Sequence, residues 1–308
     1  MYHGGMTNRL RIALPSLSAV LLAAAPLVAA SPPARPLSSA DIVAQAPAGA
    51  WAAIPAEDLL VIDFDNGRRV VIALAPAFAP VHVANIRRLV RSGWFAGTTV
   101  NRVQDNYVTQ WGDATEKKPL PEGIAASPPA EYARRLEGLG FRAMPFRDAY
   151  ADKAGHAGGW PAASDGQLAW LPHCYGMVGV GRNIAPDTGT GAELYTVIGH
   201  GPRHLDRNIA VVGRVLSGME ALSALPRGTE ALGFYKDGTP RPAIAAARLA
   251  ADMPEAERPA FDLMRSDSAS FADWLAARAN RKDEFFIRPA GALDICNALP
   301  PVRDAQRP

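Results

Sequence analysis

Apolar and polar positions fall into a strand-like pattern over "DLLVIDFDNGRRVVIAL", residues 58–74, where two β-rich runs flank Asn66-Gly67. Asn-Gly between such runs is a strong short-range hairpin signal. The next segment, "APVHVANIRRLVRSGWF", changes period: Val83, Ile86, Leu89 and Val90 recur at helical spacing, Pro80 suits a first turn and Gly93 a stop. Strand-like runs return in "GTTVNRVQDNYVTQWGD" (97–113), "YGMVGVG", "AELYTVIGHG", "NIAVVGRV" and "PAIAAARLAA". A hairpin, one helix and further strands do not form a βαβ unit, and they predict an antiparallel sheet or barrel with few helices.

The flanks read differently. Residues 1–30 carry Arg9 and Arg11, then an apolar run ending in Val28, Ala29 and Ala30, which predicts a cleaved secretory signal. Pro15 and Pro26 interrupt that run, and no other segment approaches the ~20 apolar residues of a membrane span. Residues 31–55 are rich in Ala, Pro and Ser and read as a linker, leaving a folded domain over 56–252. Within it, 114–170 is an irregular insertion with one short helix predicted at "AEYARRLEGL", expected to cover a site or lack order in part. Beyond Met253, "PEAERPAFDLMR" and "SASFADWLAARANR" predict a C-terminal helical extension over 253–308, and "FFIRPAGALDICNALPPV" is apolar enough to dock.

At 308 residues and 48% apolar content, the chain supports one sizeable core with appendages. Cleavage after Ala30 removes two of 32 basic residues and none of the 30 acidic ones, leaving a formally neutral chain. Without a Lys/Arg block it lacks the electrostatic footprint of a nucleic-acid binder. Cys174 and Cys296 either pair, as an oxidising compartment permits, or stay buried thiols. His173 beside Cys174 is too little for a metal site, and no cofactor is implied. His82, His156, His200 and His204, taken as histidines alone, read as surface or structural residues. There is no Gly-x-Ser-x-Gly elbow and no phosphate loop between strand and helix, which argues against a hydrolase.

Arg102, between Val100 and Val103, is the one charge in the strand-forming stretch "TTVNRV" (98–103). On pattern alone it reads as a solvated strand face. Its surroundings, however, resemble the cyclophilin family of peptidyl-prolyl cis/trans isomerases. That family carries Phe-His-Arg and an apolar residue, then an apolar pair before Gln-Gly-Gly-Asp. Here stand "VNRV" (100–103), "YVTQ" (107–110) and "WGD" (111–113). "MVGVGRN" from Met177, "PDTGTGAELYTVI" from Pro186, "HLDRNIAVVGRV" from His204 and "SGMEAL" from Ser217 resemble later family segments in the same order.

The resemblance implies a closed eight-stranded antiparallel barrel with two capping helices, acting on proline-containing polypeptides. It implies catalytic roles for Arg102 and Gln110. Tyr107, Val108, Tyr195 and Leu205 fall where the family forms its proline slot. Asn101, Arg182, Glu193 and His204 fall at further substrate-contacting positions. Alternation places Val100, Arg102, Val108 and Gln110 on one face. The departures are Val100 for Phe, Asn101 for His, Glu193 for Gln, Leu194 for Phe, Gly181-Arg182-Asn183 for Ala-Asn-Ala, His204 for Trp and Ile209 for His. Arg182 and Glu193 bring charges where the family has neutral amides. Either they pair, or Glu193 engages Arg102. Two functions therefore stand: an exported, periplasmic isomerase, or a cyclophilin-like peptide-binding or chaperone module with little turnover.

Overall fold

A computed structural model describes residues 36–282 and 285–305, so the predicted signal peptide lies outside the described residues. Eight strands form one antiparallel sheet: β1 (Leu59–Phe64), β2 (Arg69–Leu74), β3 (Thr99–Val103), β4 (Val108–Gly112), β5 (Met177–Val180), β6 (Leu194–Val197), β7 (Val211–Ser217) and β8 (Ile244–Leu249). Their order is β8-β1-β2-β7-β5-β6-β4-β3. A bridge between Thr99 and Ala243, with the Val100 N–H donating to the Pro242 carbonyl at 3.0 Å, joins the two edges. The result is the nearly closed, mainly β barrel that the pattern predicts.

The β1–β2 hairpin turns at Asn66-Gly67, and Gly67 takes the positive φ (79°) that the turn requires. Helix α2 (Pro80–Arg91) begins on Pro80 and buries Val83, Ile86, Leu89 and Val90 against Leu60, Ile72, Trp111 and Val180 of the barrel core. Its N-cap, Ala79, offers no side-chain acceptor. Glu131, from the insertion, supplies the missing acceptor: its carboxylate takes the N–H groups of Val81 and His82 at 3.0 Å and His82 Nδ1 at 2.7 Å.

The insertion is irregular over 114–133 and 144–152 but forms a sheet elsewhere. Five short segments, Arg134–Arg135, Arg142–Ala143, Lys153–Ala157, Trp160–Ser164 and Leu168–Trp170, form a second antiparallel sheet. The helix predicted at "AEYARRLEGL" does not form. Arg134 and Arg135 pair with Ala169 and Leu168, and Gly138 turns the chain at a positive φ, so tertiary pairing overrides a weak local preference.

Two more predictions need correction. The 31–55 segment is not a linker throughout: α1 (Ser39–Gln45) starts with a Ser38/Asp41 capping box, and Trp51–Ala53 pairs with Phe261–Met264. Nor is 253–308 a helical extension. It holds one such helix, α3 (Ala269–Ala279, capped by Ser268), while "PEAERPAFDLMR" gives a short 3-10 turn and the strand Phe261–Met264. Pro259 blocks a continuous helix there. Both flanks therefore build one module, a three-stranded sheet in which Val302–Asp304 is the other edge. Its core joins Trp51 and Met264 to Phe271 and Trp274 of α3. Cys174 and Cys296 form a disulfide with Cα atoms 4.9 Å apart, fastening the C-terminal segment next to the start of β5.

Candidate functional site

Arg102 and Gln110 face each other across β3 and β4 as direct cross-strand partners. A bulge between Val100 and Arg102 makes this possible, and it also corrects the alternation argument: Val100 lies in the barrel core, on the opposite side from Arg102. Bulges re-aim side chains in this way next to functional sites.

The half-buried guanidinium is held on three sides. Its Nε donates to the Leu232 carbonyl at 2.6 Å, Nη1 to Gln110 Oε1 at 3.1 Å, and Nη2 to Gln104 Oε1. The rings of Tyr107 and Phe234 flank it at 5.4 and 5.5 Å. Leu232 presents its carbonyl from a left-handed conformation (φ 58°), which is costly for a branched side chain. Burial lowers the Arg102 pKa from its ordinary value and raises that of Tyr107.

Gln110 in turn donates its Nε2 to Glu193 Oε1 at 2.7 Å. Glu193 therefore pairs with neither arginine: it meets Arg102 through Gln110, while Arg182 donates to the carbonyls of Asn208 (3.0 Å) and Asn183 (2.6 Å). Burial pushes the Glu193 carboxyl above its ordinary value, opposed by the Gln110 hydrogen bond and the Arg102 charge and assisted by Glu116. Beside it opens a cleft of about 340 Å³ lined by Asp113, Glu116, Lys118, Arg182 and Asp187 among others.

A small apolar cluster adjoins this polar chain. Val108, Tyr195 and Val197 are buried together, with Tyr107 and Ile209 packed on them. His204 stacks on Tyr107 (centroids 5.8 Å apart, 18° between planes) and is oriented by the Gly201 carbonyl, 2.8 Å from its Nδ1. Leu205, half-buried on the same turn, stands outside the cluster. Asn101 is drawn inward: its Nδ2 donates to the Gly112 carbonyl at 3.1 Å and its Oδ1 accepts from Thr99 Oγ1 at 2.6 Å. Its amide is thus spent on tying β3 to β4.

Beneath the cluster lies a buried polar network that sequence reasoning missed. Tyr195 Oη stands 2.8 Å from His173 Nε2, and His173 Nδ1 is 3.0 Å from Asp206 Oδ1. With Nδ1–H directed at the carboxylate, Nε2 accepts from the tyrosine. Arg203 then bridges Asp206 (2.8 Å) to Asp148 (2.7 Å) of the insertion. The Tyr195 hydroxyl reaches His173 past Gly179, where a Cβ would lie 2.3 Å from the ring's Cζ. Burial raises the Tyr195 pKa well above its ordinary value. Among the described residues no cluster of His, Cys, Asp and Glu is placed to hold a metal ion.

Comparison with known proteins agrees with this architecture. Residues 59–245 match the family described as cyclophilin type peptidyl-prolyl cis-trans isomerase/CLD. Probable peptidyl-prolyl cis-trans isomerases of Brucella suis biovar 1 (strain 1330) and Brucella abortus (strain 2308) are each 27% identical over 175 residues, 57% of this chain and 74% of theirs. The crystal structure of cyclophilin AquaCyp293 from Hirschia baltica superposes with a TM-score of 0.62 at 24% identity. It covers 83% of this chain and 95% of its own, so the shared fold extends past the family-matched span. An eight-stranded barrel carrying an arginine–glutamine pair on adjacent strands, and a family match over more than half its length, make this chain a member of the cyclophilin-type peptidyl-prolyl cis-trans isomerase family.

Proposed function

We propose that this chain isomerises Xaa-Pro bonds of exported polypeptides and that Arg102 stabilises the twisted amide. Amide resonance sets a rotation barrier of ~18–20 kcal/mol, and no bond has to break. Catalysis requires only that the twisted state bind better than either planar isomer. On twisting, the proline nitrogen pyramidalises and regains a lone pair, so a fixed cation that donates there acts selectively on that state.

The observation that carries this reading is how Arg102 is held. Three of its five N–H groups are engaged by Leu232, Gln110 and Gln104, fixing the plane of the guanidinium and leaving one donor on each Nη. Lysine offers no such fork. The proline ring would enter the apolar patch of Tyr107, Val108 and Ile209 next to it. The test is exchange spectroscopy on a short Xaa-Pro peptide with the parent and Arg102→Ala, both verified as folded. Exchange by the parent and none by the variant supports the assignment; equal exchange by both removes Arg102 from the mechanism.

A binding or chaperone module is the second reading, favoured by the Glu193 carboxylate in the site's hydrogen-bond chain. It predicts peptide binding with no exchange from either protein. A periplasmic location accords with the segment 1–30 and with the Cys174–Cys296 bridge, which an oxidising compartment sustains. Fractionation of expressing cells tests it: protein in the cytosolic fraction alone would exclude it.

A further inference from the structure

The outer face of the barrel carries a second concavity, of about 240 Å³. It lies between Ala73, Leu74 and Leu216 of the barrel, the Ala52–Pro55 segment, and the Gly158-Gly159-Trp160 turn. Every residue lining it is apolar or glycine except Asp58 and Arg214. Asp58 is already committed to an ion pair with Arg87.

Arg214, on β7, is different. The C-terminal segment covers it, and Nη1 donates to the Pro300 carbonyl at 2.9 Å. No carboxylate pairs with it among the described residues. Burial alone lowers its pKa to about 10, so it remains a cation at neutral pH. Arg214 is half-buried, and with only Nη1 engaged its remaining guanidinium donors have no carboxylate partner among the described residues. The guanidinium fork matches a carboxylate, and the apolar walls disfavour a strongly hydrated dianion while accepting hydrocarbon.

We infer that this cavity binds an apolar monocarboxylate, its carboxylate on Arg214 and its hydrocarbon part against Trp160, Leu216 and Leu263. Such a ligand is either a free small acid or the C-terminal end of a polypeptide with an apolar last residue.

The test uses 4-methylpentanoate and its neutral counterpart 4-methylpentanamide, titrated into the protein while the Trp160 indole NMR signal is followed. Trp160→Phe assigns that signal. The carboxylate is expected to saturate it and the amide to bind at least about tenfold more weakly. Arg214→Gln should abolish the difference between the two. Ala77→Trp, which fills the rim and leaves Arg214 in place, should abolish binding of both, and it carries the test if Arg214→Gln does not fold. Equal affinity for acid and amide, no response to the acid through the millimolar range, or undiminished binding in Ala77→Trp would each overturn the inference. The last outcomes would leave Arg214 a strut for the C-terminal segment. N-acetyl-Ala-Leu with a free carboxylate, compared with the free acid, then assigns the source: the tighter binder of the two is the one the cavity fits.

Discussion

Glu193 acts on Arg102 through one intervening amide: Gln110 accepts from the guanidinium at 3.1 Å and donates to the carboxylate at 2.7 Å. A half-buried carboxylate at the far end of that chain draws the Gln110 amide toward itself and, when ionised, offsets part of the Arg102 charge. On the mechanism proposed above, the ionisation of Glu193 then modulates the field that Arg102 presents to a twisting amide.

Glu193→Gln keeps a hydrogen-bond acceptor facing Gln110 and removes the charge. Exchange per unit enzyme should rise roughly three- to tenfold at neutral pH, of order 1 kcal/mol in barrier. The parent has a built-in pH dependence of the same sign. Because burial raises the Glu193 pKa, the carboxyl becomes neutral as pH falls from neutrality toward its ordinary value of 4.5, and exchange should increase over that span. Profiles of kcat/KM against pH for the two proteins check this. A parent profile as flat as that of the variant would dissociate Glu193 from Arg102.

Tyr195→Phe removes one oxygen and leaves His173 Nε2 as a buried acceptor without a donor. The expected loss is about 1–3 kcal/mol in urea unfolding. Asp206→Ala should cost more, since it takes an acceptor from His173 Nδ1, from the His173 N–H and from Arg203 Nε together. A loss from Tyr195→Phe that matched or exceeded that from Asp206→Ala would show that the network is not organised around the carboxylate.

How far the chain discloses this arrangement depends on the range of each interaction. The Asn66-Gly67 hairpin and α2 were legible because their signals lie within a few residues of one another. Arg102 and Gln110 emerged from a resemblance in residue order, whereas the bulge that turns Arg102 away from Val100 leaves no mark in composition. The 31–55 segment misled because Ala, Pro and Ser outnumber Ile42, Val43 and Trp51, and the partners of those three, Phe271 and Trp274, lie more than two hundred residues away. His173, Arg203, Asp206 and Asp148 likewise meet only in the folded chain. A lone histidine beside a cysteine gave no hint that its ring would bridge a tyrosine and an aspartate.

The disulfide closes a loop spanning 122 residues. In the chain-entropy model such a closure stabilises by at most about 5 kcal/mol. Cys296→Ser should lose up to that amount through the freed unfolded chain, while the folded segment stays docked through Arg278 to the Asn297 carbonyl (2.9 Å), His156 to Ala298 (2.7 Å) and Arg214 to Pro300 (2.9 Å). Thiol titration of denatured, unreduced protein should read near zero, and the variant should unfold at a lower Tm. Two titratable thiols in the parent would refute the pairing.

Stability on the acid side should depend on His156. This side chain is 1% exposed, stands edge-on to Phe271 at 4.7 Å and donates Nε2–H to the Ala298 carbonyl at 2.7 Å, joining the inserted sheet to the C-terminal segment. Burial depresses its pKa from 6.5 to about 4, so the folded protein holds it neutral where the unfolded chain would protonate it. The unfolded state then binds more protons between these values, and stability that is complete above 6.5 declines as pH falls toward 4. The whole shift corresponds to about 3 kcal/mol, of which roughly 2 should be gone by about pH 5. Glu193, whose pKa is raised, works in the opposite direction over part of this range, so the parent alone does not isolate the histidine. His156→Gln does, because it retains a donor for Ala298 and cannot titrate. Urea unfolding from neutral pH to about pH 5 should show a steeper decline in the parent than in the variant. Parallel declines would place the acid sensitivity elsewhere, at the carboxylates rather than at the joint between sheet and C-terminal segment.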